Sequence, residues 1–393
     1  MALEKQNVDL TLPQAVPEDD SVELGAAVKD SRVQVAGQWR LIWWRFRRHK
    51  LALISGIILI VIYLVVLFAE FIAPYDPADF SSKYTYAPPQ TLNLFDTTNG
   101  QFTFLPHVND YKVEIDQVAL RRTFVSDPEK QIPVSFFVHG WKYKLLGIFE
   151  TDVHLLGATK KGARVYLLGA DSIGRDVFSR MVYGTRVSMT IGLVGVAISL
   201  VLGIFLGGIS GYFGGWLDDV IQRLIDFLRS LPTIPLWLGL AAAFPVTWGP
   251  TQIYFAITII LSFIGWTGLA RVVRGRFLAL RTEDFVMAAR LDGASQFNVI
   301  FEHMLPAFYS HIIASITLAI PAMILAETAL SFLGLGLKPP VVSWGVLLQD
   351  AQNIRAVATA PWLLTPAIGV IVAVLALNFL GDGLRDAADP YVH

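Results

Sequence analysis

Between Leu51 and Ala73 the chain carries a single charged residue, Glu70, and apolar runs of similar length return along the sequence. They fall at about Val187–Tyr212, in a stretch ending near Phe244, and at Thr251–Ala270, Leu305–Leu330 and Ala356–Gly381. A helix rising about 1.5 Å per residue needs about 20 apolar residues to cross a hydrocarbon layer of about 30 Å. No water reaches backbone polar groups in that layer, so each run must close its own hydrogen bonds. The expected fold is therefore an all-α integral membrane protein with six transmembrane helices. The first run is too long for a signal-peptide core and lacks an A-x-A site, so it is read as a retained helix. Pro232, Pro235 and Pro245 interrupt the third, with Arg223, Asp226 and Arg229 at its entrance.

Charge sets the orientation. Residues 1–50 form a leader whose start, with Pro13, Pro17 and several acids, has the composition of a disordered segment. It then turns basic and aromatic through Trp39, Arg40, Trp43, Trp44, Arg45, Arg47, Arg48 and Lys50, a combination suited to the headgroups of a cytoplasmic leaflet. Six crossings from an inside N-terminus return the tail, residues 383–393, to the cytoplasm. Arg271, Arg274, Arg276, Arg281 and Arg290 independently predict a cytoplasmic loop over 271–304. With 54% apolar and 16% charged residues and a net charge of −1, nothing argues for nucleic acid as a partner. The absence of Cys excludes disulfides, thiolate metal sites and cysteine nucleophiles.

Residues 74–186, between the first two spans, are expected on the periplasmic side. Asn99-Gly100 between Phe95 and Phe102 is a hairpin signal, and Ile132–Ile148 is rich in β-branched and aromatic residues, so a small β-rich insert is predicted. It either meets a partner protein on that side or covers an opening in the helix bundle, or it is a passive elaboration; the sequence leaves the working and the passive reading open. Just beyond, Asp176 and Arg180 stand at the i, i+4 spacing of an ion pair on an interfacial helix, which leaves Val177, Phe178, Met181 and Val182 for the membrane.

Gly203, Gly207, Gly211 and Gly215 recur every four residues and predict a flat helix face for close packing, within this chain or against a second membrane subunit, or a seam that moves. Glu327 is an ionisable residue inside an apolar run, tolerable only against protein, water or the interface. Its position, roughly 33 Å along a helix counted from Leu305, places it near the outer edge, where the interface accounts for it; a role in gating or the pathway is the alternative.

No catalytic machinery is visible. The sequence holds no G-x-x-x-x-G-K-[ST], no H-E-x-x-H and no G-x-S-x-G. His303 and His311 lack nearby acids at ligand spacing, and His107, His139 and His154 have no spacing linking them to Asp127 and Asp152, so neither a metal site nor a bound cofactor is predicted. Any energy input must therefore come from another polypeptide.

The polar island Asp284–Pro306 carries Phe297, Ile300, Phe301 and Met304 at helical spacing behind Gly293, which can supply a turn. Such a short amphipathic helix suits docking into a partner's groove, or resting on lipid. Its pattern resembles the signature loop of ATP-driven importer permeases, Glu-Ala-Ala, then Gly, then Ile-x-Leu-Pro. Ala288, Ala289, Gly293, Leu305 and Pro306 fall on that spacing, while Met287 and His303 replace the Glu and the Ile. The run Leu168–Arg180 with Gly184, Arg186 and Ser188, then Glu327–Gly336, Pro339-Pro340, Ser343-Trp344-Gly345, Asn378–Asp386 and Asp389-Pro390, resembles the second (C-type) permease of oligopeptide and dipeptide importers. The likeness runs from about Leu168 to the end and, more weakly, over Ile72–Pro77; the leader and insert fall outside it.

That resemblance implies six helices of the type I ABC importer permease kind and a set of partners: a second homologous permease, two ATPase subunits holding ATP and Mg, and a periplasmic solute-binding protein, all at a bacterial inner membrane. It also implies that 271–304 is the loop gripped by an ATPase. Peptides are the expected solutes, with oligosaccharides, opines or nickel chelates as alternatives within the family. An ion-coupled secondary transporter would instead show an internal repeat and charged residues near the midplane.

Overall fold

The computed structural model describes residues 38–96, 103–117, 121–160, 162–245 and 247–388. The start of the leader, the Asn99-Gly100 turn and the Asp389-Pro390 end lie outside the described residues. Helix α1 (Gln38–Phe46) leads into α2 (Lys50–Leu67), whose first turn is capped by His49 Nδ1 accepting from Ala52 N at 3.1 Å. Then come α3 (Val177–Phe213), α4 (Gly215–Ser230), α5 (Thr233–Ala242), α6 (Pro250–Leu280), the short α7 (Asp284–Leu291), α8 (Tyr309–Phe332), α9 (Trp344–Gln349) and α10 (Thr365–Ala388). Five of these regions, α2, α3, α6, most of α8, and Pro361–Ala387, are long and apolar enough to cross a membrane; α4 and α5, bent by 85°, supply a sixth if counted as one. The bend falls at Leu231-Pro232, where proline removes a donor and forces its neighbour out of helical geometry.

Several predicted boundaries move. Helix α3 begins at Val177 and not Val187, and α6 continues to Leu280, so Arg271, Arg274 and Arg276 stand on a helix and not in a loop. Both extensions have local causes. Asp176 caps α3, its Oδ2 accepting from Ser179 N at 2.8 Å and Ser179 Oγ at 2.7 Å. On α6, Arg274 forms two 2.5 Å bonds to Asp218 of α4, and Arg271 pairs with Asp226. Charges that end a hydropathy run are thus paired along the bent segment. Helix α8 starts at Tyr309 because Pro306 opens a separate 3-10 turn.

The main core joins Met189, Ile191 and Val196 of α3, Ile257 and Leu261 of α6, Ile320, Met323 and Ile324 of α8, and Val370, Ala373 and Leu377 of α10. Between α2 and α3 the chain builds an antiparallel sheet in the order β1 (Asn93–Asp96), β2 (Thr103–Asp116), β3 (Arg121–Leu145), β4 (Phe149–Ala158). Strand β3 is long because it serves two partners: its first half pairs β2, with Val113 opposite Phe124, and its second half pairs β4, with Val138 opposite His154. Val108, Ile132, Val134 and Val165 form its small core. His154 fastens the sheet to the bundle, its two ring nitrogens lying 3.1 Å from Glu70 O and 3.0 Å from Trp141 O. Below it Arg186 of α3 pairs with Glu70, and that bond holds the Glu70 carboxyl below the usual range despite its burial.

The entry to α3 corrects one expectation. Arg180 does not pair with Asp176. It turns instead to Asp171, with Asp350 at 3.5 Å, while Arg175 Nε donates to Asp171 at 2.6 Å. Asp176 faces inward as the cap, and burial pushes its carboxyl up to about 6 against the Ser179 bonds. Val177 and Val182 are buried in protein, not spread on a membrane surface. The i, i+4 rule describes neighbours on an isolated helix; here the N-cap demand and a partner 170 residues downstream outrank it.

Candidate functional site

The segment after α6 folds as two layers. Helix α7 ends at Gly293, whose φ of +81° lets Gly293 N donate to Arg290 O and Ala294 N to Ala289 O, closing the helix. Ser295 then caps a turn over Gln296–Asn298, its hydroxyl accepting from Asn298 N at 3.2 Å. Val299–Met304 continues as one wide π turn, and Leu305 and Pro306 lead into α8. Underneath, Val286, Ala289, Val299, Met304, Leu305 and Phe308 pack on Val273 and Phe277 of α6 and Ile312 of α8. Phe277 and Phe308 meet edge to face at 5.6 Å. A further latch is Arg290, whose guanidinium lies 4.9 Å from the ring centre of Tyr212 at the end of α3.

On the outside, Phe285, Met287, Leu291, Phe297 and Phe301 are exposed, Leu291 at 86%. Phe297 and Phe301 pack on each other as a tilted pair with ring centres 4.3 Å apart. The predicted stripe of Phe297, Ile300, Phe301 and Met304 is therefore divided, because Met304 is fully buried and Ile300 packs on the inner cluster. The π turn is the reason: at more than 3.6 residues per turn it rotates Met304 away from the face Phe297 presents. Met287 and Ala288 lie outside, His303 is half-buried, and Ala289, Leu305 and Pro306 bear inward or partly so. The lipid-resting and docking readings both require such an outer face; the inner layer adds a rigid seat on α6, which runs unbroken from the apolar core to Leu280.

The glycine repeat lies against α6 at three of its four positions. A Cβ on Gly203 would stand 2.9 Å from Leu269 Cβ, on Gly207 2.5 Å from Ala270 O, and on Gly211 2.6 Å from Phe277 Cβ. At Gly207 and Gly211 the neighbours include the α6 backbone, at Ala270 and Arg274, and at Gly203 the Leu269 side chain, so the seam is internal to this chain. Gly215 is the exception: nothing lies within 4 Å of its would-be Cβ, and its φ of +58°, beside Gly214 at +66°, makes it part of the turn into α4. Gly192, which falls off the interval of four, and Gly195, cut off from the repeat by Ser199, extend the approach to α8 at Ile324 and Met323.

Glu327 is fully buried and surrounded by protein, not set at the interface. Ser188 Oγ of α3 donates to it at 3.2 Å and Ser331 Oγ at 2.8 Å. Those hydroxyls accept in turn from Trp344 N at 3.1 Å and Leu337 N at 3.0 Å. The carboxylate is the hub that pins the segment between α8 and α9 to the bundle. Counting residues along a helix fixed its depth but could not reveal that a later loop folds back over it.

Comparison with known proteins completes the picture. The family model described as binding-protein-dependent transport system inner membrane component matches residues 199–393, and that described as N-terminal TM domain of oligopeptide transport permease C matches residues 37–89. The dipeptide transport system permease protein DppC of Bacillus subtilis is 39% identical over 56% of this chain and 68% of its own length. The oligopeptide transport system permease protein OppC of the same organism is 34% identical over 61% of this chain and 76% of its own. The glutathione transport system permease protein GsiD of Pectobacterium atrosepticum is 38% identical over 57% and 72%. A chain of several long apolar helices that carries these matches at both ends is a multi-pass inner-membrane permease, and it belongs to the C-type subunits of the oligopeptide/dipeptide ABC importer family.

Proposed function

We propose that this chain forms half of the translocation path of an ATP-driven importer for peptides or similar small solutes. Its partners are a second, homologous permease, two ATPase subunits that carry ATP and Mg, and a solute-binding protein that delivers ligand. The observation that carries the reading is the two-layered segment Asp284–Pro306: an exposed aromatic face outside, a buried seat on α6 inside. A partner that grips Phe297 and Phe301 pushes on Val299 and Met304, and through Val273 and Phe277 on a helix of 31 residues. Closely packed elements transmit such a push because they shift as units and do not deform continuously. ATP-driven approach of the two ATPases then rocks the helices toward outward opening, and hydrolysis resets them.

This reading puts both termini, the α1 cations and the α7 segment in the cytoplasm, with α4 and α5 together as a crossing and the sheet on the periplasmic side. The names of the relatives, dipeptide, oligopeptide and glutathione, favour short peptides over sugars or opines. The test uses the assembled transporter in vesicles. Phe297→Asp with Phe301→Ser should leave the chain in the membrane but abolish uptake and its stimulation of ATP hydrolysis. Unchanged uptake in that double variant would reject the docking role.

A further inference from the structure

Beside α2 runs an apolar groove of about 880 Å3. Gly56 and Leu59 line it together with Ile320 of α8 and Leu377 of α10, and Trp43 and Phe46 of α1 line the end where α2 begins. Among the described residues, only Trp43, Tyr63 and Thr317 bring polar side-chain atoms to its wall. Thr317 Oγ1 is already spent on its own helix, donating toward Ile313 O and Ala314 O at 3.0 and 3.1 Å. The lining from Leu53 to Leu67 covers roughly 21 Å of helix, more than half of a hydrocarbon layer of about 30 Å. A single extended acyl chain fits such a shape.

That end is where charge enters. Arg47 and Arg48, in the turn joining α1 to α2, and Lys50, at the start of α2, are exposed, directly after the two α1 aromatic residues that line the groove. Trp43 and Phe46 stack with ring centres 6.0 Å apart, and Ile42 and Phe46 pack on Leu380, Leu384 and Ala387 of α10, so the mouth is held in place from both sides. A neighbouring protein helix would use the apolar wall but would leave these cations unanswered. A phosphodiester answers them at the depth where headgroups sit.

We propose that the groove is a binding site for one anionic phospholipid, with an acyl chain along α2 and its phosphate against Arg47, Arg48 and Lys50. Two alterations separate the parts of the site. R47Q/R48Q/K50Q removes the charge and leaves the groove. Gly56→Phe fills the groove and leaves the charge; a Cβ there would stand 3.7 Å from Leu380 Cδ1, ordinary contact, so the backbone accepts it.

The full-length chain is placed in nanodiscs of phosphatidylcholine alone or mixed with phosphatidylglycerol, its thermal midpoint is measured, and its retained phospholipids are counted by native mass spectrometry. The wild type should show a higher midpoint with phosphatidylglycerol and retain one anionic lipid; each variant should lose both, with helical circular dichroism unchanged. Three outcomes overturn the proposal: no preference in the wild type, a full preference in Gly56→Phe, or a Cys at Ile57 that cross-links to a second permease and so shows the groove covered by protein. A variant that misfolds is replaced by Gly56→Leu, read in the same way.

Discussion

Gly293 needs its backbone and not its space. Its φ is +81°, yet nothing lies within 4 Å of a Cβ built on it. A left-handed conformation costs an ordinary residue about 1–2 kcal/mol, least for Asn, and is worst for a β-branched side chain. Gly293→Asn should therefore keep most uptake, whereas Gly293→Val should lose most of it while the protein still reaches the membrane; transport by vesicles holding each variant distinguishes them. At the other end, Asp176 links pH to stability. Burial raises its carboxyl from the ordinary 3.8 to about 6, so the folded chain holds a proton that the unfolded chain has already lost. Its contribution is full below about pH 4 and is lost as pH rises to about 6, after which it is flat. Asp176→Asn keeps a capping oxygen and should flatten that limb of the thermal midpoint against pH. Both residues stood in motifs the sequence displayed, but neither the sign of φ nor the cap could be read from spacing alone.

Among the elements, α3 and α6 pack closely enough to bring glycine against backbone. Gly207 faces the backbone of Ala270 and Gly211 that of Arg274, while Ser262 Oγ donates across to Gly195 O at 3.0 Å. Gly207→Ala must force the helices apart, at a cost of about 1–3 kcal/mol for an overpacked site. Gly275, on the same α6, has nothing within 4 Å of its Cβ position, and Gly275→Ala should be neutral or gain about 0.5–1 kcal/mol of helix preference. Thermal midpoints of the two variants in detergent test the contrast; equal midpoints would falsify the seam. The interval of four in the glycines exposed this seam in advance because helical periodicity is local. Its last member, Gly215, misled for the same reason: periodicity carries no information about where a helix stops.

For the molecule as a whole, the sheet is an attachment with narrow roots. Gln90 N donates to Tyr166 O at 2.8 Å and Tyr166 N to Gln90 Oε1 at 2.7 Å, so the two ends of the inserted segment already lie side by side. Replacing residues 92–164 by a short linker should leave a membrane-inserted bundle that elutes as a single species. Uptake by that bundle then decides between the working and the passive reading of the sheet: retained uptake marks a passive elaboration, and lost uptake with intact assembly marks a surface that meets the solute-binding protein or covers the pore mouth.

What the chain determined by itself was the list of apolar helices, the polar island with Gly293, and the close-packing glycines. Each follows from local hydropathy or local backbone freedom, which neighbours in sequence decide. Only the tertiary structure decided that Glu327 is the hub of a buried hydroxyl network, that Arg180 answers Asp171 and Asp350, and that Met304 turns inward while Phe297 stays out. A buried charge takes whichever partner the packing brings within reach, and such partners lie up to about 170 residues away along the chain, from Arg180 to Asp350, where no periodicity extends.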